Sequence, residues 1–282
     1  MLIDTHCHLD AAEFDDDRAQ VIAASRCAGV RAVVLPAIAP SNYAAVRELA
    51  HGMPGGAYAL GIHPLLVSRT PDEAIDALRQ AVQQALADPR FVAVGEIGLD
   101  LFVKEIASGV ELQRQERFFA EQLRIAAEFD LPVLVHVRRS QDLVHKHLRR
   151  IPVRGGFAHA FNGSEQQADR FIAQGLALGV GGAMTYPRSL QIRRHAARVG
   201  LEHLVLETDA PDIPPAWLHP PNTRNAPAEV AGVARALAEL RGDPVDEVVA
   251  ATGATALRHL PRLAAHPDLA DGAGSASTSV GT

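Results

Sequence analysis

The chain repeats one unit eight times: a short apolar run of strand length, then a longer stretch with helical spacing. The runs cover 2–6, 32–37, 57–62, 91–96, 133–136, 156–159, 177–180 and 204–208. Between them the spacing predicts helices over 15–28, 41–51, a segment opening at Thr70-Pro71-Asp72-Glu73, 111–129, 141–150, 164–174 and 190–199. Two more follow the eighth run, at 228–240 and 246–260. Local chemistry marks the helix starts: Asp15, Asp16 and Asp17 favour a positive helix terminus, and Ser41 can cap the second helix. Strands that alternate with helices must lie parallel, because each return path crosses the sheet face. Eight such units in one composition regime predict a single-domain α/β fold, a closed (β/α)8 TIM barrel, with an extra C-terminal helix. The barrel domain is expected over 1–262 and a flexible C-terminal tail over 263–282, where small and polar residues bury too little to order themselves.

The chain has 282 residues, 48% of them hydrophobic and 21% charged, enough apolar material for one full core. No apolar stretch reaches the ~18 residues that span a bilayer, so no membrane partner is expected. Asp4 and His6 stand where a secretion signal needs positive charge, and the two cysteines, Cys7 and Cys27, suit a reducing compartment; a cytoplasmic location is expected. A net charge of −6 argues against a long basic face for duplex nucleic acid, while leaving room for a strand end held by metal.

Residues able to bind metal interrupt the apolar runs at one strand end after another. His6 and His8 close the first, His63 the third, Glu96 the fourth, His136 the fifth and His159 the sixth, and Asp209 follows the eighth. In a barrel these ends converge on one mouth. Two histidines two residues apart share a strand face and can close on one ion, whereas Cys7 between them points to the other face and is expected to be packed. Imidazole and carboxylate donors fit zinc, manganese or a related divalent ion, and a purely magnesium site would use fewer histidines. Such a set predicts hydrolysis at a binuclear centre, where a water held by two cations is activated near neutral pH.

Asp4-Thr5-His6-Cys7-His8-Leu9, Gly61-Ile62-His63-Pro64, Gly95-Glu96-Ile97-Gly98-Leu99-Asp100, His136-Val137-Arg138, His159 with Phe161 and Gly163, and Glu207-Thr208-Asp209-Ala210-Pro211 occur in this order over roughly residues 1 to 260. On these motifs the chain resembles the TatD family of metal-dependent hydrolases. The resemblance implies two divalent metal ions (Zn, Mn or Mg), one held by His6, His8 and Asp209, the other by His136 and His159, with Glu96 bridging. It also implies that His63 and Glu207 lie close to the substrate rather than among the metal ligands, and that the activity is that of a deoxyribonuclease acting on DNA ends; in the mechanism expected there, Asp209 takes or relays the proton of the attacking water. Arg138 is a candidate phosphate contact, since a guanidinium matches phosphate oxygens in a fork, and a barrel-mouth ion pair is its alternative. Asp4 is expected to orient a ligand, and Asp100 to be structural. Two stretches depart from the family's pattern: Arg224-Asn225-Ala226-Pro227 lacks the usual carboxylate, and the loop at 212–221 differs beside the mouth. The alternative reading keeps the site and changes the bond, to an ester or amide as in a D-aminoacyl-tRNA deacylase; a metal-stabilised scaffold without catalysis is the third.

Overall fold

The computed structural model describes residues 1–270. Eight strands form one parallel sheet in sequence order: β1 (Leu2–Asp4), β2 (Val30–Pro36), β3 (Gly56–Leu60), β4 (Phe91–Asp100), β5 (Val133–Arg138), β6 (Gly156–His159), β7 (Leu176–Val180) and β8 (Leu204–Leu206). The sheet closes where Thr5 donates its backbone N–H and its hydroxyl to the Leu206 carbonyl, at 3.0 and 2.9 Å, and where Cys7 pairs with Ala210. Helices α1 (Arg18–Cys27), α2 (Tyr43–Gly52), α3 (Ala74–Ala85), α4 (Gly109–Glu128), α5 (Gln141–Arg150), α6 (Glu165–Ala173), α7 (Leu190–Arg198) and α8 (Val230–Arg241) alternate with the strands, and α9 (Val245–His259) follows. This is the (β/α)8 barrel expected from the repeat.

Period-two patterning divides the core in two. Val133, Val135 and Val137 of β5 join the large cluster under the helices, while Leu134 joins a smaller one with Ile3, Val34, Phe157, Ala177 and Val205. That smaller cluster fills the barrel lumen, each strand giving it alternate side chains. Continuing the alternation by two residues carries Leu134 to His136, Phe157 to His159 and Val205 to Glu207, so the inward face turns polar at the C-terminal ends of the strands.

Boundaries shift where side chains take over from the ladder. β1 and β8 stop at Asp4 and Leu206, earlier than expected, because the following residues bond across the closure and to the Asp4 carboxylate. β4 runs on to Asp100 with a register shift between Val94 and Ile97, which places Glu96 within the irregular step. The expected loose tail is corrected over 263–270. Two short helices, α10 (Pro261–Ala264) and α11 (Pro267–Ala270), form there, and Leu263 and Leu269 are buried in the lumen cluster together with Ala256 and Leu260. Arg262 donates to the Phe91, Leu86 and Asp88 carbonyls, and Asp268 accepts from the Gly55 N–H at 2.8 Å. These segments seal the barrel floor. The rest of the expected tail, 271–282, lies outside the described residues.

Candidate metal centre

Five histidines and two carboxylates meet at the mouth. Glu96, 1% exposed, is the hub: its Oε2 lies 3.1 Å from His6 Nε2 and 3.3 Å from His8 Nε2, and its Oε1 lies 3.0 Å from His136 Nδ1 and 3.3 Å from His63 Nε2. Asp209 Oδ1 stands 3.6 Å from both His6 Nε2 and His8 Nε2, which are themselves 3.3 Å apart. His159 Nε2 is 3.9 Å from Glu96 Oε1 and from Asp209 Oδ2. Three donor groups close enough for one cation result: His6, His8 and Asp209; His6, Glu96 and His159; and His63, Glu96 and His136.

The donor set fits a divalent metal. Nitrogen and oxygen ligands at ~2.0–2.1 Å in a tetrahedral shell stand about 3.3 Å from one another, close to the separations around His6, His8, Glu96 and Asp209. Electrostatics point the same way. His8 is pushed up to about 9: burial opposes the charge, and the Glu96 and Asp209 carboxylates overcome it. His159 is likewise raised to about 10 against burial, by Asp209, Glu207 and Glu96. Glu96 is held well below its usual range by His63, His6 and His136 although burial alone would raise it. The buried carboxylates thus demand positive charge, which protons supply when no cation does.

His136 and His159 each carry a carboxylate on the ring edge facing away from Glu96. His136 Nε2 lies 3.1 Å from Asp100 Oδ2, which leaves Nδ1 for the centre. His159 Nδ1 lies 3.4 Å from Glu207 Oε1, which leaves Nε2. The Asp100 hydrogen bond fixes the tautomer and ring orientation of His136, while Glu207 faces His159 as a charge partner. Glu207, expected close to the substrate rather than among the metal ligands, is buried beside His159, its Oε1 accepting the Ala160 N–H at 2.6 Å. Room for it comes from Gly179, where a Cβ would sit 2.2 Å from Glu207 Oε2. Asp100, read as structural, faces His136 and also accepts the Phe102 and Val103 N–H groups, at 2.8 and 3.1 Å.

Asp4 accepts the His6 N–H at 3.3 Å and both the N–H and hydroxyl of Thr208, at 3.0 and 2.7 Å, tying together the two segments that bear His6, His8 and Asp209. Cys7 is buried with Sγ on the Ala210 carbonyl, away from the centre. His63 accepts the Leu65 N–H on Nδ1 at 3.2 Å, so its neutral ring carries hydrogen on Nε2 and faces the site as a donor. Two buried glutamines of α4, which no motif marks, hold these strand ends. Gln122 exchanges both hydrogen bonds with the Ile62 backbone, and Gln115 does the same for Asp100. In the departing segment, Asn225 Nδ2 bonds the Thr208 and Asp212 carbonyls at 2.8 Å, bracing the loop after β8.

Around the centre opens a cavity of about 990 Å³, lined by His8, His63, Glu96, His136, His159 and Asp209 and, further out, by Phe102, Arg138 and Arg139. Its size is at the upper end of the ~300–1,000 Å³ usual for ligand sites.

Barrel, cavity and donor set together define a metal-dependent hydrolase. The family described as TatD related DNase matches residues 3–260. The metal-dependent hydrolase YjjV of Escherichia coli K12 is 40% identical over 250 residues, 88% of this chain and 93% of that one. The 3'-5' ssDNA/RNA exonuclease TatD of Cronobacter sakazakii is 33% identical over 264 residues, 91% of this chain and 97% of that one. The crystal structure of the E. coli YjjV TatD homologue superposes with a TM-score of 0.86 at 39% identity, covering 92% of this chain and 98% of that chain. The chain belongs to the TatD family, whose hydrolases act on ester bonds. Among the described residues no helix is long and apolar enough to cross a membrane.

Proposed function

We propose that this chain is a phosphodiester hydrolase that removes nucleotides from the end of single-stranded nucleic acid, using two divalent ions. His6, His8 and Asp209 would hold one ion, His136 and His159 the other, and Glu96 would bridge them. Bound there, the ions would supply Lewis-acid polarisation of the phosphoryl group and neutralise its charge. Asp209, 15% exposed where Glu96 is 1%, is the more open of the centre's two carboxylates and would take the proton of an attacking water. His63 offers its Nε2 hydrogen to a developing negative oxygen, a donor role that the Leu65 N–H enforces. Asp100 would hold His136 in the tautomer the centre needs, and Glu207 would back His159 as a charge partner.

One observation carries the reading: Glu96, from the middle of the chain, lies within 3.3 Å of histidines from β1, β3 and β5 strand ends. The TatD exonucleases among the relatives support a strand end, entered from its 3' side, as substrate. The test is hydrolysis of single-stranded DNA and RNA oligonucleotides by chelated and metal-reloaded protein, with charged transfer RNA in parallel. Metal-restored release of mononucleotides is expected. Deacylation of the transfer RNA without nucleotide release would reject the phosphodiester reading.

A further inference from the structure

One side of the cavity rim is built unlike the other. Phe102 and Leu65 are the large apolar side chains, among the described residues, that both line the cavity and stand exposed, Phe102 at 44%. The Arg138 guanidinium lies 3.8 Å from the Phe102 ring centroid and that of Arg139 4.7 Å. Among the described residues neither arginine pairs with a carboxylate, although the chain carries 33 acidic residues against 27 basic ones. The platform is positioned from the centre: Asp100, on His136, also accepts the Phe102 N–H, and Arg138 stands two residues past His136 on β5. The opposite flank of the lining is acidic, with Asp10, Glu13 and Asp212.

We propose that Phe102, Arg138 and Arg139 form a seat for single-stranded nucleic acid, in which a nucleobase stacks on the aromatic–guanidinium platform and the arginines take the next phosphate. The acidic flank ends the seat. A continuing phosphate backbone is repelled there, while a terminal hydroxyl can donate to a carboxylate, so the strand leaves over Phe102 alone. A base face stacks on phenyl or guanidinium without regard to sequence, and duplex bases present no free face, so the seat selects single strands. This inference rests on the phosphodiester reading and specifies its substrate.

The experiment measures binding of fluorescent oligothymidylate and oligouridylate, made resistant by phosphorothioate linkages, to metal-loaded protein and its Phe102→Ala, Phe102→Trp, Arg138→Ala and Arg139→Ala variants. Stacking worth a typical base–aromatic contact predicts about tenfold weaker binding by Phe102→Ala. Phe102→Trp should retain binding and show tryptophan emission quenched by the oligonucleotide, a signature that a merely structural aromatic would not give. Each arginine variant should lower the slope of log affinity against log salt by about 0.7. A 3'-phosphorylated oligonucleotide should bind more weakly than its 3'-hydroxyl form, and equal binding of the two would overturn the role of the acidic flank. Wild-type affinity in Phe102→Ala, with no quenching in Phe102→Trp, would overturn the seat. Metal-dependent hydrolysis of bis(4-nitrophenyl) phosphate by the wild type separates the two failures: its absence defeats the phosphodiester reading, while its presence beside unaltered Phe102→Ala binding defeats only the seat.

Discussion

At the scale of single residues, the centre depends on which edge of each imidazole is free. Asp100 and Glu207 occupy the outer edges of His136 and His159, and the Leu65 N–H occupies Nδ1 of His63. Replacing Asp100 by Asn keeps the Phe102 and Val103 N–H acceptor but removes the charge beside His136. Metal affinity is expected to fall ~10–100-fold with the fold intact, measured by competition with a chelating dye. The strand-end histidines and Glu96 were legible in the sequence because they break apolar runs at a fixed place in the repeat. The carboxylates behind them were not legible in the same way. Glu207 stands at a strand end just as Glu96 does, and the space opened by Gly179 and the Ala160 N–H, which no motif announces, set its side chain beside His159.

At the scale of elements, strands are positioned by partners from helices and from the chain's end. Gln122 of α4 replaces a missing strand neighbour for Ile62, next to His63. Gln122→Ala leaves a buried N–H and a carbonyl unpaired, so a loss of ~1–3 kcal/mol in urea unfolding is expected, together with lower turnover. Leu263→Ala would empty part of the barrel floor and is expected to cost about 2–5 kcal/mol by the same measurement. An effect below ~0.5 kcal/mol would show that α10 is dispensable to the core. Near that floor, the Asp88 carboxyl is held below its usual value: burial opposes this, but hydrogen bonds from His51, the Arg90 N–H and Tyr58 prevail. A depressed carboxylate contributes stability above its unfolded pKa and loses it as pH falls through the folded one. Asp88→Asn should therefore be less stable than wild type at pH 7, and the gap should close below about pH 3.8. The element order was readable from periodicity, whereas 263–270 was not. Its few apolar residues, Leu263 and Leu269, look like tail composition until the open barrel floor provides somewhere to bury them.

At the scale of the whole molecule, six of the eight strand ends gather carboxylates and histidines that lie as far apart in the chain as His6 and Asp209. In the metal-free chain at pH 7, His8 and His159 hold protons, being raised to about 9 and about 10. Metal must displace those protons, so its affinity should fall with decreasing pH, about tenfold per unit for each proton displaced. Calorimetry in buffers of different ionisation enthalpy would register the release. The most direct check is anomalous diffraction from crystals of the chain grown with manganese. The account requires two peaks roughly 3.5–4 Å apart with the Glu96 carboxylate between them, one beside His6, His8 and Asp209 and the other beside His136 and His159. A single peak away from Glu96, or none in crystals of protein that hydrolyses phosphodiesters, would contradict it.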